Sequence, residues 1–283
     1  MHVVLARRER LAQLLEQHRY LPLQELCRRL GVSEATARRD LAALAGEKKI
    51  TRTYGGALHE FNDRFPSFRE RQGQGARAKR KIAQAALAIF EPNRTYFFDS
   101  GTTICAVAEA FRDYPVTPLT VVTSNLPVGE MLASIPGVQV FQLAGQLLHL
   151  QSTLLGETAQ KSLEFWHFDV AFLSAEGMDA RGVWNSQAAI VELQSVVLRR
   201  TGRNVFCIDG SKLKRQAPHF LTGWDAVDTL LTDVPNARLV SAGIELTESQ
   251  RAAGAGRGIS GMVPATDAPD DAASSGDFPV HIL

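Results

Sequence analysis

Short apolar segments alternate with amphipathic ones between residues 96 and 231, and this alternation restricts the chain to few folds. The predicted strands are residues 96–98, 119–123, 138–143, 170–174, 205–208 and 229–231. The predicted helices between them include residues 102–111, 126–133 and 187–200. Strands that alternate with helices form a mainly parallel sheet with helices on both faces. The sequence therefore predicts an α/β fold for this part of the chain.

The first 60 residues have a different pattern, which predicts three helices and a β-hairpin. Leucines at helical spacing mark the first two helices, and a similar stripe marks the third: Leu11, Leu14, Leu15; Leu23, Leu26, Leu30; Ala37, Leu41, Leu44. Gly31 lies in the turn before the third helix, and the Ser33 hydroxyl can cap that helix. Residues 48–56 predict the hairpin. This order is typical of a winged helix-turn-helix.

The charge is distributed unevenly along the chain. Residues 1–81 carry 18 Lys and Arg against 9 Asp and Glu, whereas residues 82–283 carry 13 against 21. The formal net charge of +1 therefore combines +9 with −8. A basic N-terminal part indicates a polyanionic partner, although a solvated basic face is the alternative.

Polar side chains on the outer side of the third helix indicate contact with DNA. A second helix of this motif enters the major groove, where Arg can bind phosphate or the O6/N7 edge of guanine. Basic residues of the wing would hold the flanking backbone and make binding salt-dependent. The predicted DNA-binding residues are Ser33, Thr36, Arg38, Arg39, Lys48, Lys49, Arg52 and Tyr54. Asp40 is expected to pair with a neighbouring Arg.

Four polar segments follow predicted strands, at residues 99–103, 123–125, 174–179 and 209–212. Open α/β sheets bind ligands at this edge, and a helix N-terminus after a glycine turn can hold phosphate. Hydroxyls, amides, carboxylates and one ammonium together suit a polyhydroxylated phosphate ester. The predicted effector-binding residues are Asp99, Ser100, Gly101, Thr102, Thr103, Asn125, Glu176, Gly177, Asp179 and Lys212.

Two stretches of the N-terminal part resemble the signature of the DeoR family of bacterial transcription regulators. Residues 32–41, V-S-E-A-T-A-R-R-D-L, resemble its recognition helix, and residues 52–57, R-T-Y-G-G-A, resemble the end of its wing. Residues 76–240 resemble its C-terminal domain, whose fold is similar to ribose-5-phosphate isomerase and the CoA-transferase relatives. The resemblance implies an operator-binding repressor of carbohydrate catabolism genes that is a homo-oligomer, dimer or tetramer. It also implies that residues 99–103 and Lys212 bind a phosphorylated sugar.

The sequence departs from the family at two places. Residues 144–147, A-G-Q-L, stand where members commonly have Gly-Gly, and Gln187 stands where many have Glu. The Gln187 change either points to an unusual effector or is a neutral hydrogen-bonding substitute.

The domain boundaries follow from these patterns. We expect a winged helix-turn-helix over residues 1–60, a linker over 61–77, a sensor domain over 78–247 and a disordered tail over 248–283. Two alternatives remain for the second domain. It could be a sugar-phosphate isomerase with Asp99, Glu176, Asp179 or Asp209 as general base. It could also serve only for oligomerisation.

Cysteine usage and hydropathy indicate a cytoplasmic protein without metal or cofactor. Cys27, Cys105 and Cys207 show no CxxC spacing, which argues against a zinc site and a disulfide framework. No apolar run approaches the roughly 20 residues of a membrane span. Residues 1–8 become charged too early for a signal peptide.

Overall fold

The computed structural model describes residues 2–18, 20–46, 50–53, 56–59 and 67–251. The N-terminal unit contains three helices and a three-stranded antiparallel sheet of order β1-β3-β2. Its elements are α1 (His2–His18), β1 (Tyr20–Pro22), α2 (Leu23–Leu30), α3 (Glu34–Gly46), β2 (Ile50–Thr53) and β3 (Gly56–His59). The predicted winged helix-turn-helix is therefore confirmed, and β1 is a strand that the sequence did not predict.

The leucine stripes explain how this unit folds. Leu11, Leu15 and Leu26 are fully buried and pack with the predicted stripe of α3. Gly31 ends α2 with φ 65°, a left-handed conformation that glycine adopts at little cost. The Ser33 hydroxyl accepts a hydrogen bond from the Thr36 N–H at 3.3 Å, which confirms the predicted cap.

Asp40 connects the recognition helix to the first helix. Its carboxylate is 2% exposed and lies 2.6 Å from Arg7 Nε and 3.1 Å from Arg8 Nε. Asp40 therefore pairs with arginine, as expected, but both arginines belong to α1, because the inward face of α3 directs Asp40 towards that helix. Burial alone would raise the Asp40 pKa, but hydrogen bonds and charges from both arginines outweigh it and lower the pKa.

Part of the predicted linker is helical. Helices α4 (Phe68–Gly73) and α5 (Ala76–Ala86) are separated by a two-residue loop, Gln74 and Gly75. Ser67 and Glu70 form a capping box in which the Ser67 N–H donates to the Glu70 carboxylate at 2.6 Å. The S-x-x-E spacing was a sequence signal for this helix. Phe68 is buried and anchors it on the C-terminal domain.

A six-stranded parallel sheet of order β14-β12-β9-β4-β5-β6 forms the centre of the C-terminal domain. Its strands are β4 (Thr95–Phe98), β5 (Leu119–Thr123), β6 (Val138–Gln142), β9 (Phe168–Leu173), β12 (Thr201–Cys207) and β14 (Thr229–Leu231). The surrounding helices are α6 (Thr102–Asp113), α7 (Leu126–Ala133), α8 (Glu157–Leu163), α9 (Ala188–Leu198), α10 (Asn236–Val240) and α11 (Glu248–Arg251). Five of these strands agree with a predicted strand to within two residues at each end, whereas β12 begins four residues before the predicted strand at 205–208.

Both faces of this sheet are covered, as the sequence predicted. Tyr96 and Phe98 point into the core that contains Ile104 and Phe111 of α6. Phe97, between them, points to the opposite core, which contains Leu193 of α9. Alternation of side chains across the strand explains why one apolar strand supplies two cores.

Five shorter strands lie outside the central sheet and were not predicted. They are β7 (Gln146–Leu148), β8 (Thr153–Leu155), β10 (Gly177–Asp179), β11 (Gly182–Asn185) and β13 (His219–Thr222). The pair β7–β8 is antiparallel, and so is the sheet β10-β11-β13. Residues 248–251 of the predicted disordered tail form helix α11, and the rest of that tail lies outside the described residues.

Candidate functional site

The strand order of the central sheet creates a crevice between β4 and β9. After β4 the chain adds β5 and β6 on one side, and β9 then pairs with β4 on the other side. Helices that leave such neighbouring strands diverge, and ligands of open α/β proteins bind at this point. Residues 99–103 and Ser174 leave the two strands here.

Gly101 allows the two strand ends to approach closely. It has φ 104°, and a Cβ at this position would lie 2.9 Å from Ser174 Oγ. Helix α6 begins directly afterwards, so its first backbone N–H groups face the crevice. Thr102 and Thr103 line the crevice with Gly101. The arrangement provides hydrogen-bond donors of the type that holds phosphate.

Asp99 lies behind this wall and is fully buried. Its carboxylate accepts hydrogen bonds from the Ser174 N–H at 2.9 Å and from Gln194 Nε2 at 2.7 Å. Burial raises the pKa of Asp99 to about 6, and these hydrogen bonds oppose the increase. Asp99 therefore fixes the position of Ser174, which itself lines the crevice.

Two further predicted residues also lie behind the wall. Asn125 is fully buried, and its Nδ2 donates to the carbonyls of Asp99 at 3.4 Å and Gly101 at 3.3 Å. Ser100 is 3% exposed. These side chains hold the turn in shape, and the structure does not bring them to the cavity surface.

The crevice opens into a cavity of about 840 Å³. Of the predicted effector-binding residues, six line it: Gly101, Thr102, Thr103, Glu176, Asp179 and Lys212. The Asp179 oxygens already accept from Trp184 Nε1 at 2.9 Å and Gln216 Nε2 at 2.6 Å. Asp179 therefore holds β10 and β11 together at the rim of the cavity.

Glu176 lies between two cations on the cavity wall. Its carboxylate is 3.3 Å from Lys212 Nζ and 3.7 Å from Arg71 Nη1. Burial alone would raise the Glu176 pKa, but the charges of Lys212, Arg71 and Arg215 outweigh it and lower the pKa. The wall therefore presents charged groups at neutral pH.

Sequence reasoning missed Lys79, which lines the cavity although it is only 6% exposed. Its Nζ donates to the Arg71 carbonyl at 2.5 Å, and burial lowers its pKa. A buried ammonium is costly unless anionic groups compensate it. Lys79 precedes Ile82 and Ala83, which are buried on the inward face of α5, by three and four residues. A lysine on an otherwise apolar helical stripe was the signal that could have identified it.

Gly177 is buried where β10 begins and does not line the cavity. A Cβ there would overlap the backbone oxygen of Arg215, a residue of the cavity wall. We expect Gly177→Ala to displace this wall and to weaken binding of a phosphorylated sugar, the ligand expected from the sequence, at least tenfold.

Gly202→Ala is the matched control for this prediction. A Cβ at Gly202 would lie 3.4 Å from its nearest atom, the backbone oxygen of Asp169, which is an ordinary van der Waals contact. Isothermal titration calorimetry with sugar phosphates should show the loss for Gly177→Ala and not for Gly202→Ala. Parent-like affinity of Gly177→Ala would contradict the assignment of this wall.

The predicted DNA-reading face lies on α3. Arg38 and Arg39 are exposed, and Arg38 Nη2 is 3.3 Å from Glu34 Oε2 in the preceding turn. Ser33 Oγ and Thr36 Oγ1 are 3.0 Å apart at the helix start. The backbone of Arg52 lies in β2. The remaining predicted residues, Lys48, Lys49 and Tyr54, lie outside the described residues.

The two family departures do not reach the cavity. Gln187 precedes α9 as its N-cap residue and is absent from the cavity wall, as is Gly145. Gln194, further along α9, donates a hydrogen bond to the buried Asp99 carboxylate.

Comparison with known proteins gives a match along both domains. Residues 7–62 match the DeoR-like helix-turn-helix domain, and residues 74–234 match the DeoR C terminal sensor domain. The chain belongs to the DeoR family. The family is one of DNA-binding transcription regulators, and the isomerase alternative is therefore set aside.

Among the DeoR relatives are named sugar-operon repressors. A putative aga operon transcriptional repressor of Escherichia coli O157:H7 is 29% identical over 80% of this chain and 85% of its own length. The lactose phosphotransferase system repressor of Streptococcus mutans is 30% identical over 74% and 84%. Among solved structures, ribose 5 phosphate isomerase A from Neisseria gonorrhoeae is 19% identical with a TM-score of 0.35, over 47% of this chain and 52% of its own.

Two features are absent from the described residues of this DeoR-family protein. Among these residues, no helix is long and apolar enough to cross a membrane. The same residues contain no group of three or more His, Cys, Asp or Glu side chains that could hold a metal ion.

Proposed function

We propose that this DeoR-family protein represses genes of carbohydrate catabolism and releases its operator when a phosphorylated sugar binds the cavity of the sensor domain. The observation that carries the effector part is the cavity wall, where Lys79, Lys212 and the N-terminus of α6 meet at one crevice. Cations and helix N–H groups bind phosphate. Carboxylates and hydroxyls of the same wall suit sugar hydroxyls.

The DNA part of the proposal rests on α3 and the wing. Ser33 directly precedes the recognition helix, and Thr36, Arg38 and Arg39 lie in its N-terminal half, where both arginines are exposed. This half of such a helix contacts base edges in the major groove. Lys48, Lys49, Arg52 and Tyr54 are proposed as backbone contacts. A cytoplasmic homo-oligomer that binds repeated half-sites fits this arrangement.

Arg38→Ala tests the reading role of α3. If Arg38 binds a guanine with both donors, its loss weakens operator binding by about 1–3 kcal/mol. The control is Arg112→Ala, which removes a similarly exposed arginine from α6 in the sensor domain. Fluorescence anisotropy should show a loss for the first variant only, and equal affinities would remove Arg38 from the interface.

The proposal is tested with labelled DNA from the region upstream of the protein's own gene. In anisotropy titrations, the affinity for this DNA should fall steeply between 50 mM and 200 mM salt. The loss is roughly 10³-fold if the protein contacts six phosphates. Titration of the complex with glucose 6-phosphate, fructose 6-phosphate, ribose 5-phosphate and inorganic phosphate should release the DNA with at least one sugar phosphate. Absence of DNA binding at low salt, or release by none of these compounds, would contradict it.

A further inference from the structure

The cavity of the sensor domain has one wall that belongs to the DNA-reading domain. Leu21, Pro22, Glu25 and Arg29, from β1 and α2, line it. The loop between α4 and α5 and the residues around Lys212 line the other side of this cavity. A ligand in this cavity therefore lies between the two domains.

The charge of the cavity matches a phosphate monoester. Six basic and four acidic side chains line it, a formal excess of two positive charges. A phosphate monoester carries roughly −1.5 to −2 at neutral pH. Of the six basic side chains, Arg29 is the one that the helix-turn-helix supplies.

We propose that Arg29 binds the phosphate of the effector, so that the effector site is complete only when α2 lies against the sensor domain. This inference rests on the proposed function and adds to the effector site a phosphate-binding side chain from the DNA-reading domain.

Glu25 explains how Arg29 can change partner. The Glu25 carboxylate lies 2.6 Å from Arg29 Nε and 2.7 Å from Arg28 Nη2. When phosphate attracts Arg29, the carboxylate keeps Arg28 as its partner. The exchange therefore leaves no charge without compensation. Arg28 is 71% exposed and is absent from the cavity wall.

Effector binding then holds the DNA-reading domain in the arrangement of this structure. In this arrangement a second cleft, of about 1030 Å³, separates α3 from the sensor domain. Glu34 and Arg38 line one side of it, and Trp184, Glu192 and Phe220 line the other. This cleft is too small for a duplex: a volume of about 1030 Å³ corresponds to a cube with edges of roughly 10 Å, and a duplex is wider than its own major groove of about 12 Å. Operator binding therefore requires the cleft to open, and a bridging effector opposes opening.

The test compares Arg29→Gln with Arg28→Gln in the full chain. Each variant removes one of the two ion pairs of Glu25, but only Arg29 lines the cavity. Isothermal titration calorimetry with glucose 6-phosphate, fructose 6-phosphate, ribose 5-phosphate and inorganic phosphate should show at least tenfold weaker binding for Arg29→Gln. Arg28→Gln should stay within twofold of the parent chain, and Arg29→Lys should recover part of the loss.

The outcomes separate this inference from the proposed function. If the parent chain binds a sugar phosphate and Arg29→Gln binds it equally well, the inference that both domains contribute to the effector site is wrong. The effector proposal itself then stands. An equal loss in both Gln variants would also overturn the inference, because it would trace the effect to Glu25. If the parent chain binds none of the compounds, the effector proposal fails, and the inference about Arg29 fails with it.

Discussion

Replacement of Lys79 by Met should weaken sugar-phosphate binding roughly 100-fold, because a desolvated charge-assisted contact to phosphate is lost. The side chain is 6% exposed, and burial lowers its pKa, so the charged form is unfavourable in the folded protein. Met fills a similar space without a charge. The thermal midpoint of the variant should therefore equal or exceed that of the parent chain.

Calorimetry with the releasing sugar phosphate and a thermal melt of the same sample check this prediction together. Lys79→Gln serves as a second variant, since a polar neutral side chain can still donate to the Arg71 carbonyl. Both variants should bind operator DNA within threefold of the parent affinity. Parent-like sugar-phosphate affinity in Lys79→Met would remove this lysine from the site.

The second large effect concerns the helix-turn-helix. Asp40→Asn should lower the free energy of unfolding of the helix-turn-helix by about 3 kcal/mol, because the substitution removes the buried partner of two arginines. The control is Glu34→Gln on the same helix, where an exposed ion pair contributes at most about 1 kcal/mol. Urea unfolding measures both, and operator binding should weaken in Asp40→Asn as α3 loses its support. Equal stabilities would contradict a structural role for Asp40.

The same ion pairs predict a pH dependence. Because the folded-state pKa of Asp40 lies below its ordinary value of 3.8, the stabilisation is present above that value. It is lost as pH falls through the lower folded-state pKa. Acid titration should therefore unfold the parent helix-turn-helix with a steeper pH dependence than the Asp40→Asn variant.

The elements that the sequence predicted well are those with a strong local pattern. The strand Leu119–Thr123 and the helix Leu126–Ala133 have the predicted bounds, since buried parallel strands are continuous apolar runs and helices are periodic. The short strands near the cavity, such as Gly177–Asp179, are too short to show a period.

The candidate site was predictable at the strand ends and not beyond them. Polar residues after parallel strands meet at one edge by topology, so Gly101 and Glu176 could be placed together. Arg71 comes from the predicted linker and Lys79 from the first residues of the predicted sensor domain. Their approach to Lys212 depends on how α4 and α5 pack. The burial of Asp99 behind Ser174 likewise depends on Gln194, 95 residues away.

The central claim is that one chain couples operator binding to sugar-phosphate binding. The most direct measurement is the operator dissociation constant with and without saturating sugar phosphate, together with the sugar-phosphate dissociation constant with and without operator DNA. Linkage requires the two ratios to be equal, and we expect a factor of roughly 5–150 that weakens binding in each case. A sugar phosphate that binds the cavity and leaves operator affinity unchanged would contradict the account.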